Sequence, residues 1–227
     1  MNPPDPEQQQ TEMSARIIVP QGLRSEFPKI GALVITMDVQ YAGDDAYVAM
    51  DLLRWGVEGS EIFVCKEAVT EPYQPGFFAF REGPVLVAAL NRLATAKGIR
   101  PDLLIIDGHG RAHPRKFGVA SWLGLKVGIP AIGVAKETLV RFPDQPDLAR
   151  GSTSPVTVDG ETVSYALRTS EGVKPVFVSP GHLVSLDESR EIALALDSGF
   201  RTIEPIRRAD QACRAFAKGE SGDFEMI

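Results

Sequence analysis

Asp102-Leu-Leu-Ile-Ile-Asp107-Gly-His-Gly-Arg-Ala-His-Pro-Arg-Lys116 is an apolar run that stops on a carboxylate. Two glycines, two histidines and three cations follow within nine residues. Four consecutive apolar residues bounded in this way read as a buried strand. A buried strand has no need of an acid at its end, and a turn has no need of so much charge. The chemistry that fits is a metal-bound acid at a strand tip, beside a surface that grips phosphate. Partner carboxylates must then come from elsewhere in the chain.

The neighbouring segments place this strand in a sheet. Upstream, Val85, Leu86, Ala89, Leu90 and Leu93 recur at helical spacing, with Gly98 closing the run and Pro84 suited to the first helical turn. Downstream, residues 117–127 are helix-like, and Ala131–Ala135 form another apolar strand after Pro130. Such βαβαβ alternation points to parallel pairing. Further upstream, Gly31–Asp38 reads as a buried strand, and 46–55 and 61–68 as two more at hairpin spacing, so an antiparallel meander is expected there. Residues 142–160 are rich in Pro, Asp, Gly and Ser and read as a surface excursion. Strands are expected at 163–169 and 176–179, and helices at 186–196 and 207–218. Residues 1–15 are polar and aperiodic and are expected to form a disordered tail, with a short C-terminal tail at 221–227. The fold class is therefore α/β, one domain over 16–220 with a mixed central sheet flanked by helices.

Composition excludes several classes. A chain of 227 residues buries a sizeable core without staples. No apolar run approaches the roughly 20 residues of a membrane span. No Lys or Arg precedes Arg16 and no apolar block lies near the N-terminus, so no secretory signal is expected. Cys65 and Cys213 fit neither a disulfide framework nor zinc spacing and read as core thiols. A cytoplasmic, monomeric protein is expected. The net charge of −6 argues against a general nucleic-acid binder. From Asp107 to Arg141, however, six cations (Arg111, Arg115, Lys116, Lys126, Lys136 and Arg141) face only two anions. On charge alone, a phosphate-tracking face and a solvated surface fit equally well.

Three acids fall at the boundaries of these elements. Asp38 ends the first apolar run, Glu82 stands just ahead of the helix that follows the meander, and Asp107 ends the strand after it. With the first and fourth strands side by side, both aspartates converge, and a helix packed over the sheet brings Glu82 to the same cavity. Clustered carboxylates repel one another unless a divalent cation neutralises them. Oxygen-only ligands select Mg²⁺ or Mn²⁺, metals suited to phosphodiester cleavage. Each acid taken alone reads equally as a surface or capping carboxylate. Their shared strand–meander–helix–strand order favours a metal nuclease.

That order resembles the ribonuclease H-like fold, and the residues more specifically resemble the endonuclease V family of inosine-directed nucleases. The resemblance is carried by Pro72-Tyr-Gln-Pro-Gly-Phe-Phe-Ala-Phe-Arg-Glu-Gly-Pro84 and by Asp107–Lys116. Ile129-Pro-Ala-Ile-Gly-Val-Ala-Lys136 and Val178-Ser-Pro-Gly-His-Leu183 extend it. It implies Asp38 and Asp107 as Mg²⁺ ligands, with Mn²⁺ a substitute, and Glu82 as a third catalytic acid. Within Glu204-Pro-Ile-Arg-Arg-Ala-Asp210, Asp210 matches the family's fourth site residue. The loop Pro72-Tyr73-Gln74-Pro75 resembles a strand-separating wedge in which Tyr73 fills the gap left by an extruded base. Gly76, Phe78 and Gly108 match positions near the base pocket, although each glycine equally suits a turn. His113 and Lys136 match phosphate-side residues.

The chain departs from the family pattern at four places. Thr36-Met37 replaces a glycine before the first Asp, Gln74 stands for the more usual Ile, Trp122 stands where His is common, and no N-terminal helix is recognisable in residues 1–20. The implied activity is Mg²⁺-dependent hydrolysis of the second phosphodiester bond 3′ to inosine in DNA. An endoribonuclease acting on inosine in RNA and a catalytically silent nucleic-acid-binding relative are the alternatives.

Overall fold

The computed structural model describes residues 5–142 and 144–227. Its centre is a single nine-stranded sheet. The first three strands, β1 (Leu33–Ala42), β2 (Asp45–Arg54) and β3 (Ser60–Ala68), form the expected antiparallel meander. Then come β4 (Leu103–Asp107) and β5 (Ala131–Ala135), followed by β6 (Thr153–Val158), β7 (Glu161–Leu167) and β8 (Val176–His182). A two-residue strand, β9 (Glu225–Met226), completes the order β6-β7-β8-β5-β4-β1-β2-β3-β9. β4 is parallel to β5, as the βαβαβ rhythm led one to expect, and also to β1, and the remaining pairs except β3–β9 are antiparallel.

Alternation along these strands builds two cores. Ile35, Met37, Leu104 and Ile106 face one side, under α2 (Phe78–Lys97) and α3 (Val119–Val127). Val34, Leu103, Ile105 and Val134 face the other, under α4 (Leu186–Ala195) and α5 (Glu204–Ala217). Asp102 zips the start of the parallel pair: its carboxylate accepts from Leu33 N at 2.8 Å, and its own N–H donates to Leu33 O at 2.8 Å. Loop 108–110 folds tightly over β5. A Cβ on Gly133 would stand 2.4 Å from Gly110 N and 2.5 Å from Gly108 O, so only glycine fits there.

Four boundaries differ from the expectations. Residues 6–14, expected to be disordered, form α1 (Pro6–Ser14), whereas residues 1–4 lie outside the described residues. The helix is held by polar contacts rather than an apolar face. Fully buried Gln10 donates to Phe117 O at 2.8 Å, and Asp5 caps the first turn through Glu7 N. The second helix starts at Phe78, so Pro84 lies inside it and Glu82 is helical rather than ahead of the helix. The surface excursion contains β6, an edge strand whose exposed Pro155 needs no ladder donor on its outer side. The C-terminal segment is not a free tail: β9 pairs with β3, and Ile227 N donates to Val64 O at 3.0 Å.

Candidate active site

The parallel β1–β4 ladder pairs Met37 with Ile106, and one step beyond that rung stand Asp38 and Asp107. Strand alternation turns both away from the α2 face and toward α5. Lys136, two residues beyond Val134 on the neighbouring strand, reaches Asp107 Oδ2 at 3.3 Å. From above, α5 presents Asp210, whose carboxylate is held by Arg214 Nε at 2.9 Å one helical turn later. Glu82 arrives from α2 and is 5% exposed, with Tyr41 O–H donating to its Oε2 at 3.2 Å. The four acids predicted from sequence are thus brought to one end of the β1–β4 pair.

The electrostatics follow from crowding and burial. Burial pushes the Asp38 carboxyl up to about 7, reinforced by the Asp107 and Asp210 charges against a hydrogen bond from Val39 N. Glu82 is pushed up to about 8, again chiefly by burial and then by Asp38. Asp107 is also raised by burial, with Lys136 opposing. Such a set lacks positive charge. The fit to a hard divalent cation is good, because the donors are carboxylate oxygens alone. Among the described residues, no three His, Cys, Asp or Glu side chains form a ready-made cage. Mg²⁺ binds through one or two carboxylates and keeps waters and substrate phosphate as its other ligands. Asp38 and Asp107, side by side on β1 and β4, could hold such an ion.

These shifts fix the pH dependence of the metal-free fold. Above pH 4.5 the unfolded chain releases the Glu82 proton, while the folded chain keeps it until about pH 8. Stability tied to Glu82 therefore falls as pH rises through that window and levels off above it. Glu82→Gln is expected to melt higher than wild type in EDTA at pH 8.5, with the gap closing at pH 5. Equal gaps at both pH values would show that Glu82 is not the titrating group.

Beside the acids opens a cavity of about 480 Å³, lined among others by Tyr73, Gly76, Phe78, Gly108 and His113. Five of the six predicted binding residues thus meet in one place, and Lys136 stands apart with the acids. The cavity adjoins the acids through the chain itself, since Gly108 follows Asp107. His113 differs from expectation. It is buried, its Nδ1 accepts from Arg115 N at 3.2 Å, and burial followed by the Arg115 charge lowers it to about 4. Its ring is therefore neutral at pH 7 and lies in the cavity wall, held by Arg115 N and the Gly76 backbone, so it brings no cation to phosphate.

Several contributors had no clear sequence signal. Phe117, Val119 and Leu139 line the cavity, and of these only the 55% exposed Leu139 could have been picked out, as an apolar loop residue. Cys213, read as a core thiol, is buried yet places its Sγ 3.7 Å from Asp38 Oδ2 and 3.3 Å from Asp210 O. Burial pushes that thiol far above its ordinary range, so it remains a neutral donor. Arg115 ties three segments together: it donates to Gly76 O at 2.7 Å and to Gln10 Oε1, and lies 4.6 Å over the Phe77 ring. The cationic stretch is largely neutralised from within. Arg111 and Lys116 both pair with Glu161, whose carboxyl falls to about 2 through the Arg111 hydrogen bond foremost.

The endonuclease V family model matches residues 13–211. The chain belongs to the endonuclease V family. Relatives include endonuclease V of Streptomyces coelicolor, 42% identical over 212 residues, covering 91% of this chain and 87% of that one. Endonuclease V of Dictyoglomus turgidum is 41% identical, over 88% of this chain and 84% of its own. Among solved structures, Streptomyces avermitilis endonuclease V superposes with a TM-score of 0.83 at 38% identity, covering 94% and 92% of the two chains. Ciona intestinalis endonuclease V, solved with a 23mer DNA containing an inosine followed by a ribo-adenosine, gives 0.81 at 27% identity over 94% and 96%. The ribonuclease H-like sheet read from the sequence is thus the endonuclease V sheet, and the chain is a nuclease of that family.

Proposed function

We propose that this protein is a Mg²⁺-dependent endonuclease that recognises inosine in DNA and hydrolyses the second phosphodiester bond 3′ to it, as a step of DNA repair. The observation that carries this reading is the adjacency of Asp107 and Gly108: one belongs to the acid cluster, the next lines the base-sized cavity. Asp38 and Asp107 would hold the cation, with Mn²⁺ able to replace it. When bound, Mg²⁺ supplies positive charge that favours ionisation of water and offsets charge building on the phosphate. The residues then divide the remaining work. Glu82, its Oε2 held by Tyr41, is the third acid of the cluster, and its burial beside Asp38 raises its carboxyl in the metal-free site. Lys136 orients Asp107 and faces the phosphate. Asp210 closes the acid cluster from α5. Water is the nucleophile and a 3′-hydroxyl leaves, with no covalent enzyme intermediate.

Recognition draws on the cavity. Tyr73 is 64% exposed at its mouth, braced edge-to-face by Phe78 with ring centroids 6.3 Å apart, and fills the place of the extruded base. Gly76 and Gly108 let backbone groups approach the base closely, and His113, held by Arg115 N and the Gly76 backbone, shapes the cavity wall.

The test compares inosine-containing oligonucleotides with matched adenosine controls, with Mg²⁺ and with EDTA. Nicking confined to inosine with Mg²⁺ is expected, and equal cutting of the control would refute the specificity. The ribo-adenosine beside inosine in the Ciona substrate favours a second reading, an endoribonuclease for inosine in RNA. DNA, RNA and single-ribonucleotide substrates run side by side separate the two. A catalytically silent binding protein has no use for four crowded acids.

A further inference from the structure

We infer that a second cavity, across the wedge span from the base pocket, receives the base that an extruded inosine leaves unpaired, and that Gln74 reads it. The inference rests on the reading of the chain as an inosine-directed nuclease with a strand-separating wedge. The cavity, about 340 Å³, is lined by Pro72, Gln74, Phe77, Phe80, Arg81 and Trp122 among others, and α1 contributes Met13 to its wall. Tyr73 lines the first cavity, while its neighbours on either side, Pro72 and Gln74, line this one. Three consecutive residues therefore separate two chambers. When a wedge parts a base pair, each of the two bases needs a place.

The lining suits a nucleobase. Phe77 and Phe80 lie near-parallel, with centroids 6.4 Å apart and planes inclined by 27°, and Trp122 adds a third ring. Aromatic surfaces of this kind stack bases of any identity. The volume falls at the lower end of the roughly 300–1,000 Å³ typical of small-ligand sites. Arg81 and exposed Lys126 stand at the same cavity and can meet the phosphates that accompany a base. Arg81 is held there by donating to Glu71 O at 3.0 Å and by lying 4.9 Å over the Tyr41 ring.

Discrimination comes from Gln74. Its primary amide offers both donors and an acceptor, which an aliphatic side chain at this position could not. Gln74 O accepts from Phe77 N at 3.0 Å, so the backbone of the turn is fixed while the side chain stays exposed. Trp122 lines the same cavity. An amide and an indole far apart in sequence thus meet on one wall, a hydrogen-bonding group beside a stacking surface.

The experiment measures nicking of duplexes with inosine opposite C, T, A, G or an abasic site, each relative to the same strand without a complement. The wild-type protein is expected to spread these ratios by about fivefold, and Gln74→Ile to compress them to within about twofold. Because the readout is a ratio, a general loss of activity does not affect it. A second arm places 2-aminopurine opposite inosine and follows its emission in EDTA, with anisotropy reporting binding. Quenching on binding is expected from stacking in the cavity. A ranking that survives Gln74→Ile, or unchanged emission in a bound duplex, overturns the inference. Failure of the wild type to nick any inosine substrate refutes the proposed function instead, leaving the emission arm to judge the cavity. A duplex that is not bound at all overturns both.

Discussion

Asp107→Asn is expected to lower nicking of an inosine-containing strand by on the order of a thousandfold or more while leaving the fold intact. The amide matches the carboxylate in shape, so the β4 terminus and its close packing against loop 108–110 are undisturbed. What disappears is one of the two charges proposed to hold the cation. Asp107 stands one step beyond the Met37–Ile106 rung beside Asp38, and burial already opposes its ionisation. Removing the charge therefore relieves the metal-free protein. Its melting temperature in EDTA should equal or exceed that of wild type at pH 8. The rise in melting temperature that Mg²⁺ produces in wild type should be largely absent in the variant. Retained nicking, or an undiminished Mg²⁺ shift, would sink the assignment of Asp107 as a ligand.

The second large effect lies behind the site. Asp51 on β2 is fully buried, and Arg208 on α5 reaches its Oδ2 at 2.7 Å, with 30% of the arginine side chain exposed. This pair fastens α5, and hence Asp210, to the sheet. Arg208→Met is expected to cost about 3 kcal/mol at pH 8, because breaking a buried pair leaves a charge without compensation. The sign of its pH dependence follows from Asp51. Burial raises that carboxyl from 3.8 to about 6 even with Arg208 opposing, so in wild type its contribution falls as pH rises between those values. Without Arg208 the folded-state value climbs further, and the variant keeps losing stability beyond pH 6. The gap from wild type should thus be small at pH 5 and wide at pH 8, and Asp51→Asn should restore most of it. Urea denaturation at the two pH values measures this, and a gap independent of pH would contradict it.

What was legible in the sequence was whatever broke a pattern. Asp38 and Asp107 interrupt apolar runs, so both the strands and the acids stood out, and the meander followed from turn residues at regular spacing. The parallel β4–β5 pairing followed from the βαβαβ alternation, whereas the β1–β4 contact, on which the site depends, stood in the sequence only as a condition for the acids to converge. Less visible was whatever is held by polar contacts. α1 docks through the amide of Gln10 rather than an apolar stripe, so no periodicity marks it. Pro84 read as a helix start because its missing N–H favours that position, yet Ala79, Glu82 and Gly83 are buried in the turns before it. Asp51 lies between Met50 and Leu52 and breaks its strand as plainly as Asp38 does. Its importance emerges only with Arg208, which lies far away in the sequence. The role of His113 turned on burial, which residue type alone does not reveal.

The tie made by Arg115 between Gln10 and the Gly76 carbonyl bears on who does the moving during the proposed reaction. A wedge loop anchored at its base before DNA arrives has little left to rearrange, so the work of opening falls on the duplex. Lesions set in soft, weakly stacked surroundings would then be opened more readily than the same lesion among stiff neighbours. The nuclease would sense local flexibility in the helix without touching the bases that create it.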